Sequence, residues 1–418
     1  MVSSALIKRL MVLALCLSYQ VSADRGATGH QDSLTVERAL KLALDAHPLI
    51  QSARGQFDAA QDDLSASKWR RFPTIGASSL DSSTDTNQET TTASMPIWLG
   101  GRLNADVDLA TARRDGAYSA IYESQQTVMI ETINVFFEFY RSDQKLIIAN
   151  QNVDEHQRLY EIIQRRAIAS TSPDVDTMLA LARLQYAKSA QIQASSSLLI
   201  SRSSLELLVN DSVNAVYVAK QLQSLDTNIE EAVIKGLAVS PRLKRLAYEV
   251  DGLDASVKSA RSALFPQVSV GYEKRYGDLL FSQEREEVFV SVDFQPGAGL
   301  SVISSVSAAK ARKKAALNTL EAEKRDLRRQ IKIAWNEYTS ASLQLEPTKN
   351  LVSATSSVVD SYLRQYAVGK KSWLDVLNAQ REATQAKNTL VDYEVSQLGA
   401  LYRLRVLLNE INASFLGV

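Results

Sequence analysis

Apolar positions along most of this chain recur at alternating steps of three and four, the spacing of one helix face, and switch to period-two alternation in a few short stretches. The helical pattern predicts two very long helices, from about Arg102 to Arg166 and from about Ser301 to Val368, with Pro347 the one turn signal inside them. About 65 helical residues at 1.5 Å each span roughly 100 Å. A seam through Ile331, Ala334, Tyr338, Ala341, Leu345, Val352, Val359, Tyr362 and Tyr366 has the spacing of a coiled coil, with Thr at two intermediate places. Pro347 is expected to kink that helix locally, because its ring cannot donate to the helix ladder.

Alternation is sharpest in the second half of the chain. Val268, Val270, Tyr272 and Tyr276 share one face, broken by Lys274, against Gln267, Ser269, Gly271, Glu273 and Arg275. A second run sets Val288, Val290, Val292 and Phe294 against Glu287, Ser291, Asp293 and Gln295, with Phe289 as the exception. These runs predict a β-hairpin at about 266–296. Ala93, Met95 and Ile97 alternate with Thr92 and Ser94 in the same way, and complete a hairpin at about 73–98. Its first strand, near 73–82, alternates poorly and is expected mainly by symmetry.

That symmetry is a tandem duplication. LTVERALKLALDAHPLIQSARGQFDAAQDDLSASKWRRFPTIGAS from Leu34 aligns without a gap to TNIEEAVIKGLAVSPRLKRLAYEVDGLDASVKSARSALFPQVSV from Thr227. Pro48 matches Pro241 and Pro73 matches Pro266, each pair 193 residues apart, and Glu37, Ala39, Leu44 and Phe72 meet Glu230, Ala232, Leu237 and Phe265. Two repeat units follow, 24–226 and 227–418. Each has a short helix (about 35–46 and 229–239), a second helix opened by proline, a hairpin, and two long helices joined by a tight turn. Ser240-Pro241 reads as an N-cap followed by Pro at the first helical position.

Composition narrows the chemistry. Lys plus Arg and Asp plus Glu both number 47, so charge gives no reason to expect nucleic acid. Three His, one Cys, and no nucleophile elbow or phosphate loop predict neither an enzyme, nor a metal site, nor a cofactor. Residues 1–23 read as a secretory signal peptide, with Lys8 and Arg9, the apolar run Leu10 to Leu17, and a small-x-small site at Val21-Ser22-Ala23. The single Cys16 lies inside it, and Leu15 stands where a lipoprotein site needs a small residue. No later stretch approaches the roughly 20 apolar residues of a membrane helix. An exported chain with four amphipathic strands poses a closure problem, because membrane barrels start at eight strands and open edges in lipid are costly. Three copies supply twelve strands.

The duplicated ALKLALDAHP and AVIKGLAVSP segments, PIWLGGRLNA after the first hairpin, and YAVGKKSWLDVLNAQ between the last long helices resemble the TolC family of outer-membrane efflux proteins over nearly the whole mature chain. The resemblance implies an α+β membrane protein. It would be a homotrimer whose twelve-stranded outer-membrane β-barrel, four strands per protomer, continues into a long periplasmic α-helical barrel. It also implies outer-membrane lipid around the barrel, docking to an inner-membrane ABC or other transporter through a periplasmic adaptor (membrane fusion) protein, and passive gated export. SPDVDTMLALARL, from Ser172, is more similar to the type I secretion branch than to the drug-efflux branch. Drug or small-molecule efflux is the alternative, and a periplasmic coiled-coil scaffold the remote one, since it leaves the hairpins unexplained.

The turn within YAVGKKSWLDVLNAQ draws the most attention. Gly369 suits a positive φ at a helix end, and Ser372 with Asp375 forms a capping box for the next helix. In the family, Tyr, Arg and Asp at this turn tie the periplasmic entrance shut, and Tyr366, Lys371 and Asp375 stand at the matching positions. Lys371 in place of arginine and Asn378 in place of a second acid depart from the pattern, and lysine lacks the bidentate fork. In the first unit's turn, Asp174 and Asp176 are both candidate gate partners, as well as favourable charges at a helix start. Gly369, Lys370, Ser372 and Trp373 are the candidate adaptor-docking tip, and Trp98 at a strand end is a candidate interfacial anchor. Phe136, Phe137, Phe139 and Tyr140 are expected to pack a core, and the basic run from Lys310 to Lys332 to be a solvated helix face.

Overall fold

The computed structural model describes residues 33–82, 86–169, 173–218, 227–277 and 285–417. The expected signal peptide with Cys16, and Ser170 to Ser172 of the first tip turn, lie outside the described residues. In chain order the elements are β1 (Ser33–Thr35), α1 (Val36–Ala46), α2 (Pro48–Trp69), β2 (Thr74–Ser82), β3 (Thr86–Trp98), α3 (Arg102–Ile168), α4 (Asp174–Val209), β4 (Ala215–Tyr217), α5 (Ile229–Val239), α6 (Pro241–Ser262), β5 (Gln267–Gly277), β6 (Glu286–Asp293), α7 (Ser301–Ala367), α8 (Trp373–Leu407) and α9 (Ala413–Leu416). The short β1 and β4 pair with each other.

Local chemistry explains the boundaries of the paired helices. Asn228 accepts from Glu231 N at 2.9 Å, and Glu231 reaches back to the Asn228 N–H at 3.4 Å, closing a capping box on α5. Ser240 Oγ accepts from Leu243 N ahead of Pro241, as its sequence position predicts. His47, the counterpart of Ser240 in the duplication, does the same work. Its Nδ1 accepts from Leu49 N at 3.2 Å before Pro48, which gives this histidine a structural role. Gly101, at φ +89°, ends the hairpin and lets the chain turn into α3.

The strands form one antiparallel sheet in the order β2-β3-β5-β6, so the two halves of the chain meet edge to edge at β3 and β5. Register puts Val268, Val270 and Tyr272 opposite Val292, Val290 and Val288, and Ser269, Gly271 and Glu273 opposite Ser291, Phe289 and Glu287. Phe289 breaks the alternation because its ring lies over Gly271, where a Cβ would collide with it. A bulge between Pro96 and Trp98 interrupts the β3–β5 pairing, which resumes at Trp98 opposite Val268, in keeping with proline's missing donor. β2 is a nine-residue strand paired along its length, although its sequence barely alternates. Its partner's alternation and the duplication place it.

α7 runs on through Pro347 as one element of 67 residues. Along its seam Ile331, Ala334, Ala341, Val359 and Tyr366 are buried, and Thr348 fills one of the intermediate places. The main core joins α1 to α3 and α8 through Leu40, Leu44, Ile133, Phe136, Phe139, Tyr402 and Val406. The Tyr402 hydroxyl donates to Glu37 at 2.7 Å, and burial followed by that hydrogen bond holds the phenol well above its ordinary range. A second core joins α5 to α7 and α8 through Val233, Ile331, Leu404 and Leu408. The basic run on α7 is laced with acids: Lys313 meets Asp254 at 2.7 Å, Lys324 meets Glu321 at 2.6 Å and Lys332 meets Glu230 at 3.2 Å. No helix among the described residues is long and apolar enough to cross a membrane.

Candidate functional site

Two regions carry functional geometry, the helical tip at the α7–α8 turn and the four-stranded sheet. At the tip the backbone is fixed by local bonds. Gly369 takes φ +75°, its N–H donates to Tyr366 O at 3.0 Å, and Lys370 N donates to Gln365 O at 2.9 Å, the pair of bonds of a Schellman motif. Ser372 Oγ accepts from Asp375 N at 3.2 Å, and Asp375 Oδ2 accepts from Ser372 N at 3.2 Å. The turn between α7 and α8 is therefore capped on both sides.

Onto this frame the structure hangs the residues singled out by sequence. Tyr366 is 6% exposed and packs with Leu159, Ile163, Trp373 and Val376. Lys371 Nζ stands 3.9 Å from Asp375 Oδ2 and 4.4 Å from the Tyr362 ring centroid. Lys371 and Asp375 are a third or more exposed, so solvent screens their pairing. Trp373 is buried and faces the chain's own core, while Leu374 beside it is exposed. Lys370, Gly369 and Ser372 lie on the exposed rim of the turn. Asp174 and Asp176 occupy the first turn of α4, against the positive end of its dipole.

Sequence reasoning missed Arg166, in the last turn of α3. Its guanidinium lies 4.3 Å from the Tyr366 ring centroid, and its Nη2 donates to Tyr366 O at 3.3 Å and Ala367 O at 3.2 Å. It thus ties α3 to the C-terminal carbonyls of α7, where a cation is favourable. Further along α3, on its α4 side, burial first and Arg183 second hold the His156 imidazole below its ordinary range.

The sheet offers two unlike faces. One carries Val288, Val290 and Val292, with Val290 65% exposed, beside Ile75, Met95 and Tyr272. The other carries Ser269 and Ser291, hydrogen-bonded at 2.6 Å, and Arg275 between Glu273 at 2.8 Å and Glu287 at 3.5 Å. An exposed aromatic stands where each strand meets the helices: Phe72 before β2, Trp98 at the end of β3, Phe265 before β5 and Phe294 after β6. No cluster of His, Cys, Asp and Glu suited to a metal ion occurs among the described residues.

Comparison with known proteins agrees with this geometry. The cobalt-zinc-cadmium resistance protein CzcC of Cupriavidus metallidurans is 23% identical over 360 residues, covering 85% of this chain and 85% of its own length. The alkaline protease secretion protein AprF of Pseudomonas aeruginosa is 21% identical over 67% of this chain and 61% of its own. Among solved structures, the outer membrane protein VceC of Vibrio cholerae superposes with a TM-score of 0.79 at 14% identity, over 89% of this chain and 95% of that one, a likeness of fold. The family model described as outer membrane efflux protein matches residues 39–211 and 235–410, one match in each copy of the duplication, and the chain belongs to that family of outer-membrane channels.

Proposed function

We propose that the chain is one protomer of a trimeric export duct. Three four-stranded sheets would close a twelve-stranded barrel in the outer membrane, and the long helices would continue the passage into the periplasm. The observation that carries this reading is the sheet itself. Among the described residues β2 and β6 each pair on one side only, and the sheet exposes valines on one face while its other face is polar. Unpaired strand edges in lipid cost several kcal/mol per group, so the sheet needs neighbouring copies to close it. The valine face would meet lipid, and the Ser269–Ser291 and Glu273–Arg275–Glu287 face would line the lumen.

At the other end, Tyr366, Lys371 and Asp375, with Asp174 or Asp176 of the first turn, would hold the periplasmic entrance closed. The rim of Gly369, Lys370, Ser372 and Trp373 would receive a periplasmic adaptor bound to an inner-membrane transporter. Trp373 packs inward, so the side chain offered outward beside it is that of Leu374. Cargo is read as protein, in type I secretion, on the strength of SPDVDTMLALARL. AprF carries secretion in its name and CzcC metal resistance, which keeps small-solute efflux as the second reading.

Native mass spectrometry of the detergent-purified protein tests the architecture. A trimer that conducts in planar bilayers is expected, and a stable, non-conducting monomer overturns it. Loss of a secreted protein from the medium of a deletion strain would support the protein cargo, whereas unchanged secretion with new sensitivity to metals or solvents would favour the second reading.

A further inference from the structure

The segment that carries the first unit from helix into sheet reads Lys68-Trp69-Arg70-Arg71-Phe72, and all five residues are exposed. Trp69 is 67% and Phe72 56% exposed, with ring centroids 5.0 Å apart. The segment lies at the level where the valine face of the sheet stops, beside the collar completed by Trp98, Phe265 and Phe294. Trp98 and Phe265 rings lie 6.1 Å apart within that collar. Exposed aromatics at the end of a lipid-facing sheet belong at the headgroup level. What aromatic anchoring does not explain is the presence of three cations, Lys68, Arg70 and Arg71, in the same five residues.

Their local partners leave charge to spare. Arg70 Nη1 is 3.8 Å from Asp106, which also accepts from Ser259 Oγ at 3.0 Å, and Arg71 Nη2 donates to the neutral Asn104 at 2.9 Å. The duplication supplies an internal control. At the equivalent places in the second unit, Trp69, Arg70 and Arg71 are replaced by Ser262, Ala263 and Leu264, while Lys68 and Phe72 find Arg261 and Phe265. One copy of the junction is a plain aromatic step into the sheet, and the other adds a ring and two guanidinium groups.

Resting on the channel reading above, we infer that Lys68-Trp69-Arg70-Arg71-Phe72 is a binding foot for anionic phospholipid in the membrane leaflet on the helical side. Trp69 and Phe72 enter the acyl boundary, and Arg70 and Arg71 clasp headgroup phosphates, which guanidinium forks match in geometry. Lys68, one turn back, adds long-range attraction. A basic residue at an anionic surface contributes roughly a five-fold preference, about 1 kcal/mol.

The test uses the intact protein in nanodiscs of phosphatidylcholine with or without phosphatidylglycerol. Native mass spectrometry counts the lipids retained, and planar bilayers report insertion and conductance in parallel. Wild type is expected to retain phosphatidylglycerol over phosphatidylcholine, with a preference that falls as salt is added. Arg70→Ser with Arg71→Ser should lose roughly five-fold per arginine in that preference at unchanged conductance. Arg70→Lys with Arg71→Lys, which keeps the charge, lacks the fork and checks folding, should show a preference between those of wild type and the serine variant. Equal retention of the two lipids by wild type, or an undiminished preference in the serine variant, overturns the foot while leaving the channel intact. Absence of conductance from wild type in every lipid overturns the channel reading instead.

Discussion

α4 and α8 occupy the same place in the two copies of the repeat, yet they are finished differently. α8 packs against both α7 and α3 and buries side chains along its whole length, from Trp373 and Val376 to Leu404 and Leu407. α4 packs chiefly against α3 and buries Ala180, Leu184, Ala187, Ser201, Leu205 and Val209. Its opposite side exposes Val175, Met178, Tyr186, Ile192, Ile200 and Leu207, whereas the large apolar residue that α8 exposes is Leu374. Duplication preserved the order of elements, and divergence then decided which copy completes its packing inside the chain. A stripe of exposed apolar side chains on one long helix is a surface awaiting cover. In the proposed ring of three protomers a neighbouring copy would supply it.

The largest expected effect contrasts the two helices directly. Leu404→Ala empties a fully buried position of α8 and should cost about 2–5 kcal/mol in detergent unfolding. Leu207→Ala, at a position 83% exposed on α4, should change the stability of the dissociated chain by less than about 0.5 kcal/mol yet weaken trimers on native gels. Equal costs in the two variants would show that the helices are not finished differently after all.

The same contrast between inner and outer faces extends to the strands. Val290→Arg should reduce outer-membrane assembly, since arginine at the bilayer midplane costs about 2–4 kcal/mol. Ser291→Arg, on the opposite face, should be milder. Fractionation of the two variants decides between them, and equal loss would mean the strand phase is wrong.

Smaller changes are expected at the tip, where the solvent-exposed Lys371–Asp375 pair contributes at most about 0.5–1 kcal/mol. Tyr366→Phe with Lys371→Ser should raise single-channel conductance and admit large antibiotics, and added salt should mimic part of the effect. Arg166→Ala should do likewise by freeing the end of α7 from α3. Normal insertion with wild-type conductance in both variants would assign these residues to packing and shift attention to Asp174 and Asp176.

The smallest effect concerns the α3–α4 pair. Burial favours neutral His156 in the folded chain, so its stabilising share is present above the ordinary imidazole range and is lost as pH falls through it. Melting temperature should therefore drop more between pH 7 and pH 5 for wild type than for His156→Gln. Identical drops would remove His156 from the account.

Periodicity and internal repetition made the fold legible. Pro48 and Pro73 with their partners Pro241 and Pro266 located both hairpins, and the heptad steps from Ile331 to Tyr366 located the seam that is buried on α7. β2 was readable because its duplicate alternates, not because it does. Phe289 looked like an error in the pattern, since a ring covering Gly271 is a cross-strand fact that no single strand displays. Of the tip, the caps formed by Gly369, Ser372 and Asp375 were visible as local motifs. Arg166 was not, because its partner Tyr366 lies 200 residues away and a basic residue in a last helical turn is ordinary. The inward packing of Trp373 was hidden for a related reason, since it depends on Leu159 and Ile163 of another helix.

The heptad spacing on α7 also makes the chain a ruler. Seven residues advance a helix by roughly 10 Å while returning its apolar seam to the same azimuth. Adding or removing one heptad in each of α3, α4, α7 and α8 would move the entrance nearer to or farther from the sheet without disturbing the register of any face. A change of three or four residues in a single helix would rotate everything beyond it and unseat the caps at the turn. The distance that the proposed duct would bridge is therefore quantised, and a cell envelope of a different width could be matched only in such steps.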